Sequence, residues 1–394
     1  MSSSHPYKPE ILVLLSRFPY PLEKGDKLRA YYQLKELAKS FEITLVALTE
    51  IEIQKEQFEE VNRFCKKLVV CKLTWRTKLI NISRALLSDR PVQTGYFFSS
   101  KAKKVIKDII QSNDYKHIYA QLIRMSEYVK NYHHIPKTLD YMDALSAGIL
   151  RRVEKQPFYK RSIFKMEGNR LLKYERHIFD FFENRTIISD QDRQLIAHPD
   201  RAKIHCVPNG IDKQFFEPIE RPETYDFVFV GNMSYPPNVD AVHYIVDSIL
   251  PELDNATLLI SGATPHPSIL KLAESNPNIS ITGWVDDIRT SYANGKIFLA
   301  PMMIGTGMQN KLLEAMALKT PCITTSLANN AISAVHEKEI MVGNTKEEII
   351  KIAKLLLHDD KLRSHIAEAG HSLIKDNFSW EKSTSTLIKL IQQA

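Results

Sequence analysis

Short, nearly unbroken apolar runs alternate along this chain with longer stretches of helical period. Runs at 11–16, 43–48, 116–120, 138–141, 186–189 and 203–207 read as buried strands of a first set. Turn residues and then amphipathic segments separate them, an order that builds parallel strands joined by helices. A loop containing Pro19, Pro21 and Gly25 leads into a helix predicted over 27–40. Residues 55–110 read as largely helical with an excess of Lys and Arg, and a long charged helical stretch covers 151–193. Pro208-Asn209-Gly210-Ile211-Asp212 then breaks the pattern, and a Pro- and Glu-rich stretch runs to Pro222. A second set opens at 226–231 and continues with strands at 256–261, 279–282, 297–300 and 322–325. The pattern is α/β, with two Rossmann-like domains, and ligands of such sheets bind beyond the carboxyl ends of the strands.

The densest candidate chemistry follows the strand at 297–300. Gly305, Thr306, Gly307, Met308 and Gln309 form a loop in which glycines allow a tight turn and close approach to a ligand. The helix after it opens with amide groups that lack internal partners at its positive dipole end, which suits a phosphate. Lys311 and Glu314 lie at i and i+3 on one helical face. A lysine can neutralise a diphosphate and a glutamate can accept from paired sugar hydroxyls, so the pair suits a nucleotide sugar.

This segment resembles the donor signature of glycosyltransferase family 4, retaining enzymes of the GT-B fold, through Glu314-Ala315-Met316-Ala317-Leu318-Lys319-Thr320-Pro321. The family's second glutamate, eight residues upstream, is Thr306 here, and the chain follows a Gly-x-Gly-x-x-x-Lys-x-x-Glu variant instead. The resemblance implies two Rossmann-like domains facing each other across a cleft: 1–207 on the acceptor side and 224–374 for the nucleotide sugar. A linker at 208–223 joins them, and a helix in 375–394 packs back on the first domain. It implies a ribose role for Glu314, a diphosphate role for Lys311, and backbone groups offered by Thr306, Gly307 and Met308. Gly231, Asn232 and Met233 occupy the loop where the family places phosphate-binding cations. Those cations are absent, which leaves the charge to Lys311. Trp284 and Val285 match the loop beside the base, and Gly262 closes another strand in the same way. Gly25 and Asp26 occupy the first-domain loop that faces donor phosphates and acceptor. Arg17, Arg29, Arg124 and Asp143 are the candidates for the acceptor side.

Composition narrows the classes. Residues 1–200 carry 35 Lys/Arg against 24 Asp/Glu, whereas 201–394 carry 18 against 22. A basic first half suits an anionic acceptor or an anionic membrane surface, and no nucleic-acid-binding signature accompanies it. No apolar run reaches the ~18 residues of a membrane span, the start lacks a signal-peptide pattern, and four cysteines without metal spacing suit the cytosol. The expected protein is a cytoplasmic enzyme, peripheral at the inner face of the membrane. It takes a nucleoside-diphosphate sugar, UDP or GDP, as donor and a glycan or lipid-linked acceptor, as in bacterial surface polysaccharide synthesis. No tightly bound cofactor or metal is expected. Two other readings stay open: a non-catalytic GT-B binding protein, and a sugar-nucleotide epimerase of similar architecture.

Overall fold

A computed structural model describes residues 8–154, 156–304 and 307–394. They fall into two compact units, 8–208 with 380–394, and 209–379.

The first unit is built on a seven-stranded sheet: β1 (Glu10–Leu15), β2 (Glu42–Thr49), β3 (Lys67–Lys72), β4 (His117–Gln121), β5 (Lys137–Asp140), β6 (Asn184–Ile187) and β7 (His205–Cys206). Its order is β3-β2-β1-β4-β5-β6-β7, and every pairing is parallel. The apolar run of β1 has no polar alternation because both faces are covered. Leu12 and Leu14 join Val46 and Leu48 in one core cluster, while Ile11, Val13 and Leu15 join Ile43 and Leu45 in another. The second cluster includes Leu387 and Ile391 of the last helix, Trp380–Gln393. Trp380 stacks on Tyr32 of helix Gly25–Leu37, ring centroids 5.0 Å apart. Asn184 Nδ2 donates to the Leu390 carbonyl at 2.9 Å. Apolar burial of this kind contributes roughly 25 cal/mol per Å², which ties the chain end to the first sheet.

The second unit holds a six-stranded parallel sheet of β8 (Tyr225–Val230), β9 (Leu258–Ser261), β10 (Ile279–Gly283), β11 (Gly295–Ala300), β12 (Cys322–Thr324) and β13 (Met341–Val342), ordered β10-β9-β8-β11-β12-β13. Residues 209–223 pack on this unit. Arg221 Nη1 donates to the Leu318 carbonyl at 2.6 Å, and Ile211 bridges to Ser379. Helix Asp360–Asn377 stays with the second unit, so the chain returns to the first at Trp380 rather than at 375.

Two strands were absent from the sequence pattern. β3 lies inside the stretch expected to be helical; its Leu68, Val69, Val70 and Cys71 are only half-buried at the sheet edge and flanked by lysines. β13 is an edge of two residues. The stretch at 151–193 is not one helix: Phe158–Ile178 gives way to β6 and then to helix Asp190–Leu195. Among the described residues no helix is long and apolar enough to cross a membrane.

Candidate nucleotide site and charged loop edge

Three adjacent strands of the second sheet end in glycine-bearing turns. Gly231 N donates to Ser261 O at 3.0 Å, and Gly262 N donates to Gly283 O at 3.0 Å. Gly262 has φ +136°, and a Cβ there would fall 1.8 Å from the Gly231 carbonyl oxygen. No other residue fits, because the two backbones are already in contact. At the carboxyl ends of β8 and β9 the chain thus packs backbone against backbone, with the Asn238 and Lys311 side chains against Gly231.

Against this edge stands helix Asn310–Ala317, entered through Gly307 at φ +73° and Gln309, which provides no side-chain cap. Its first two amides, of Asn310 and Lys311, have no partner within the helix, whereas Leu312 N donates to the Gln309 carbonyl at 2.9 Å. Lys311 Nζ donates to Asn238 Oδ1 at 2.5 Å and lies 4.6 Å from the centre of the Phe229 ring. A Cβ on Gly231 would lie 3.2 Å from the same nitrogen. Asn238 Nδ2 in turn donates to Asn232 O at 2.8 Å. Lys311 thus reaches the loop after β8, where the resembling family carries its cations. Glu314, one turn on, accepts from the buried Tyr292 hydroxyl at 2.7 Å. Desolvation pulls the Lys311 amine down to about 7, with Glu314 opposing. Burial pushes the Glu314 carboxyl up, although Tyr292 and Lys311 favour its charge.

The other expected residues are placed unevenly. Met233 is fully buried and Met308 nearly so, so neither offers an exposed side chain. Trp284 is 66% exposed, and Val285 beside it is half-buried. Gly305 and Thr306 lie outside the described residues. Tyr292, Asn238 and Phe229 were not singled out in the sequence; all three act through contacts distant along the chain, and no spacing rule reveals them.

At the carboxyl edge of the first sheet, Gly25 opens its helix, and Asp26 is held by Arg17. Arg29 requires a correction. It is fully buried, its Nε 2.7 Å from Asp140 Oδ2 and its Nη1 donating to Val207 O at 2.8 Å. Tyr119 joins the same carboxylate at 3.1 Å. This is a core ion pair, out of reach of an acceptor. Arg124 stacks over Phe97 at 4.5 Å and donates to Gln93 at 2.7 Å. Burial, and then the Arg17 charge, lower its guanidinium to about 10. Asp143 follows β5, its amide donating to Tyr141 O at 2.9 Å.

Residues 224–359 match the family model described as Glycosyl transferases group 1. A Klebsiella pneumoniae protein, described as an uncharacterized 44.6 kDa protein in the cps region, is 22% identical over 96% of this chain and 99% of its own length. Sucrose-phosphate synthase from Thermosynechococcus elongatus superposes with a TM-score of 0.73 at 13% identity, covering 98% of this chain and 99% of its own. The Anabaena protein HepE, solved with UDP and glucose, superposes with a TM-score of 0.71 at 12% identity over 98% of this chain and all of its own. The fold is GT-B, with two parallel-sheet Rossmann-like domains. The match over residues 224–359 supports a transferase enzyme that moves sugars, while the solved neighbours speak to the fold.

Proposed function

We propose that the protein is a retaining glycosyltransferase that moves a sugar from a nucleoside-diphosphate sugar to a glycan or lipid-linked acceptor. The observation that carries this reading is the Lys311–Glu314 face, whose Lys311 amine reaches the glycine turn at Gly231 after β8. The uncapped amides of helix Asn310–Ala317 and the Lys311 amine take the diphosphate, where charge develops as the bond to the sugar breaks. Glu314, oriented by Tyr292, accepts from the ribose hydroxyls. Charge neutralisation falls to these groups, and the reaction needs no tightly bound cofactor or metal. UDP is the preferred nucleotide, a choice supported by HepE having been solved with it. A role in surface polysaccharide synthesis, at the inner face of the cytoplasmic membrane, is supported by the cps-region relative.

The test is release of nucleoside diphosphate from UDP- and GDP-sugars with a fraction of lipid-linked glycans as acceptor, the product anomer read by NMR. Acceptor-dependent release with retained configuration is the expected result. Interconversion of free nucleotide sugars without acceptor would make it an epimerase, and binding without turnover a non-catalytic protein.

A further inference from the structure

Helix Trp75–Leu86 turns its apolar residues outward. Trp75, Leu79, Ile80 and Leu86 are about half or more exposed, and Leu87, which ends the helix, is 90% exposed. At 100° per residue these positions share one face, with Arg76 among them and Arg84 at its edge. The helix cannot roll to hide them, because its other face is fastened. Asn81 Nδ2 donates to Phe98 O at 2.5 Å, Ala85 is buried, and Arg170 donates to the Ala85 carbonyl at 2.9 Å. Arg170 belongs to helix Phe158–Ile178, whose first turns expose Phe158 at 84%, Tyr159 and Ile163 beside the exposed Lys160, Arg161 and Lys165. A cavity of about 220 Å³ opens against the inner side of Trp75–Leu86, with Arg84, Arg90 and the carboxylate of Glu127 in its lining.

We propose that this surface docks on an anionic lipid bilayer. Monomeric proteins rarely leave several large apolar side chains together in water. An apolar helix face rimmed by cations, with Trp and Tyr among the exposed rings, suits insertion at the headgroup boundary. Charge decides between occupants. Residues 75–90 carry Arg76, Arg84 and Arg90 against Asp89, with Lys78 paired to Glu50, and 158–165 carry Lys160 and Lys165 besides Arg161, which faces Glu154. A second copy would set these cations against their equivalents, whereas anionic headgroups would neutralise them. The inference deepens the membrane role proposed above and gives it a location.

The test is co-sedimentation of the full chain with phosphatidylcholine vesicles, with and without phosphatidylglycerol. The variants are Trp75→Ser/Leu79→Ser/Leu87→Ser and Arg76→Glu/Arg84→Glu, and UDP titration is run on each. Wild type is expected to bind the anionic vesicles and to release them at high salt. Each variant is expected to bind about tenfold or more weakly, with its UDP affinity unchanged. Equal binding by the variants, or none by wild type, overturns the proposal even if UDP binds normally. A concentration-dependent dimer that the triple substitution dissolves would assign the face to a second copy instead. Loss of UDP binding by wild type alone would count against the transferase reading and leave the docking surface standing.

Discussion

Both units place a cation and a carboxylate near the carboxyl edge of a parallel sheet, and the two pairs have opposite environments. Arg29 and Asp140 are fully buried and paired on two nitrogens, and the Val207 carbonyl takes a third donor. Asp140 lifts the Arg29 pKa even against burial. Lys311 and Glu314 are half-buried, each tied to a neutral partner, and burial disfavours both charges. A satisfied pair holds a fold together. A cation held at a cost, with its charge poorly answered by the protein, is primed to gain from an anionic ligand.

Substitution sharpens the contrast. Arg29→Ala strands Asp140 in the core and is expected to cost about 3–5 kcal/mol, read by chemical denaturation of the full chain. Gly262→Ala forces a side chain into the Gly231 backbone at a positive φ. The backbone strain alone is expected to cost about 1–3 kcal/mol, and nucleotide binding should fall with it. Lys311→Met is expected to leave the denaturation midpoint unchanged or raised, because an amine whose charge burial disfavours is removed. Its nucleotide affinity should drop by about 1.5–3 kcal/mol, as for a charged hydrogen bond. If Lys311→Met destabilised the protein as much as Arg29→Ala, the two pairs would not differ in kind.

The smallest effect is graded by pH. With Lys311 near 7 in the free protein, a bound diphosphate raises its pKa, so binding takes up a proton. Affinity is then full below about pH 7 and weakens above it, by at most about tenfold per unit for one proton. Calorimetry in buffers of different ionisation enthalpy reads the uptake directly. Proton release, or affinity independent of pH from 6 to 9, would break the assignment (roughly the range over which such an amine titrates).

The two strand sets were legible because buried parallel strands show as apolar runs, and β1, β8 and β11 do. β3 was not, since an edge strand half-exposed and bounded by lysines lacks that signal. Lys311 and Glu314 could be read from the spacing on one helix. Asn238 and Tyr292, 73 and 22 residues from the groups they bind, could not. Arg29 shows the reverse limit: its position after a strand-end loop looked functional, and only the fold supplies Asp140, 111 residues away, to claim it. The outward apolar face at Trp75 was equally hidden, because periodicity reveals two faces without saying which is buried.

The most direct measurement is calorimetric titration of UDP and GDP into wild type, Lys311→Ala and Glu314→Ala. The account predicts that one nucleotide binds wild type and that both substitutions weaken it in protein that remains folded. Wild-type binding that survives both substitutions, or no binding at millimolar nucleotide (about −4 kcal/mol), would contradict it.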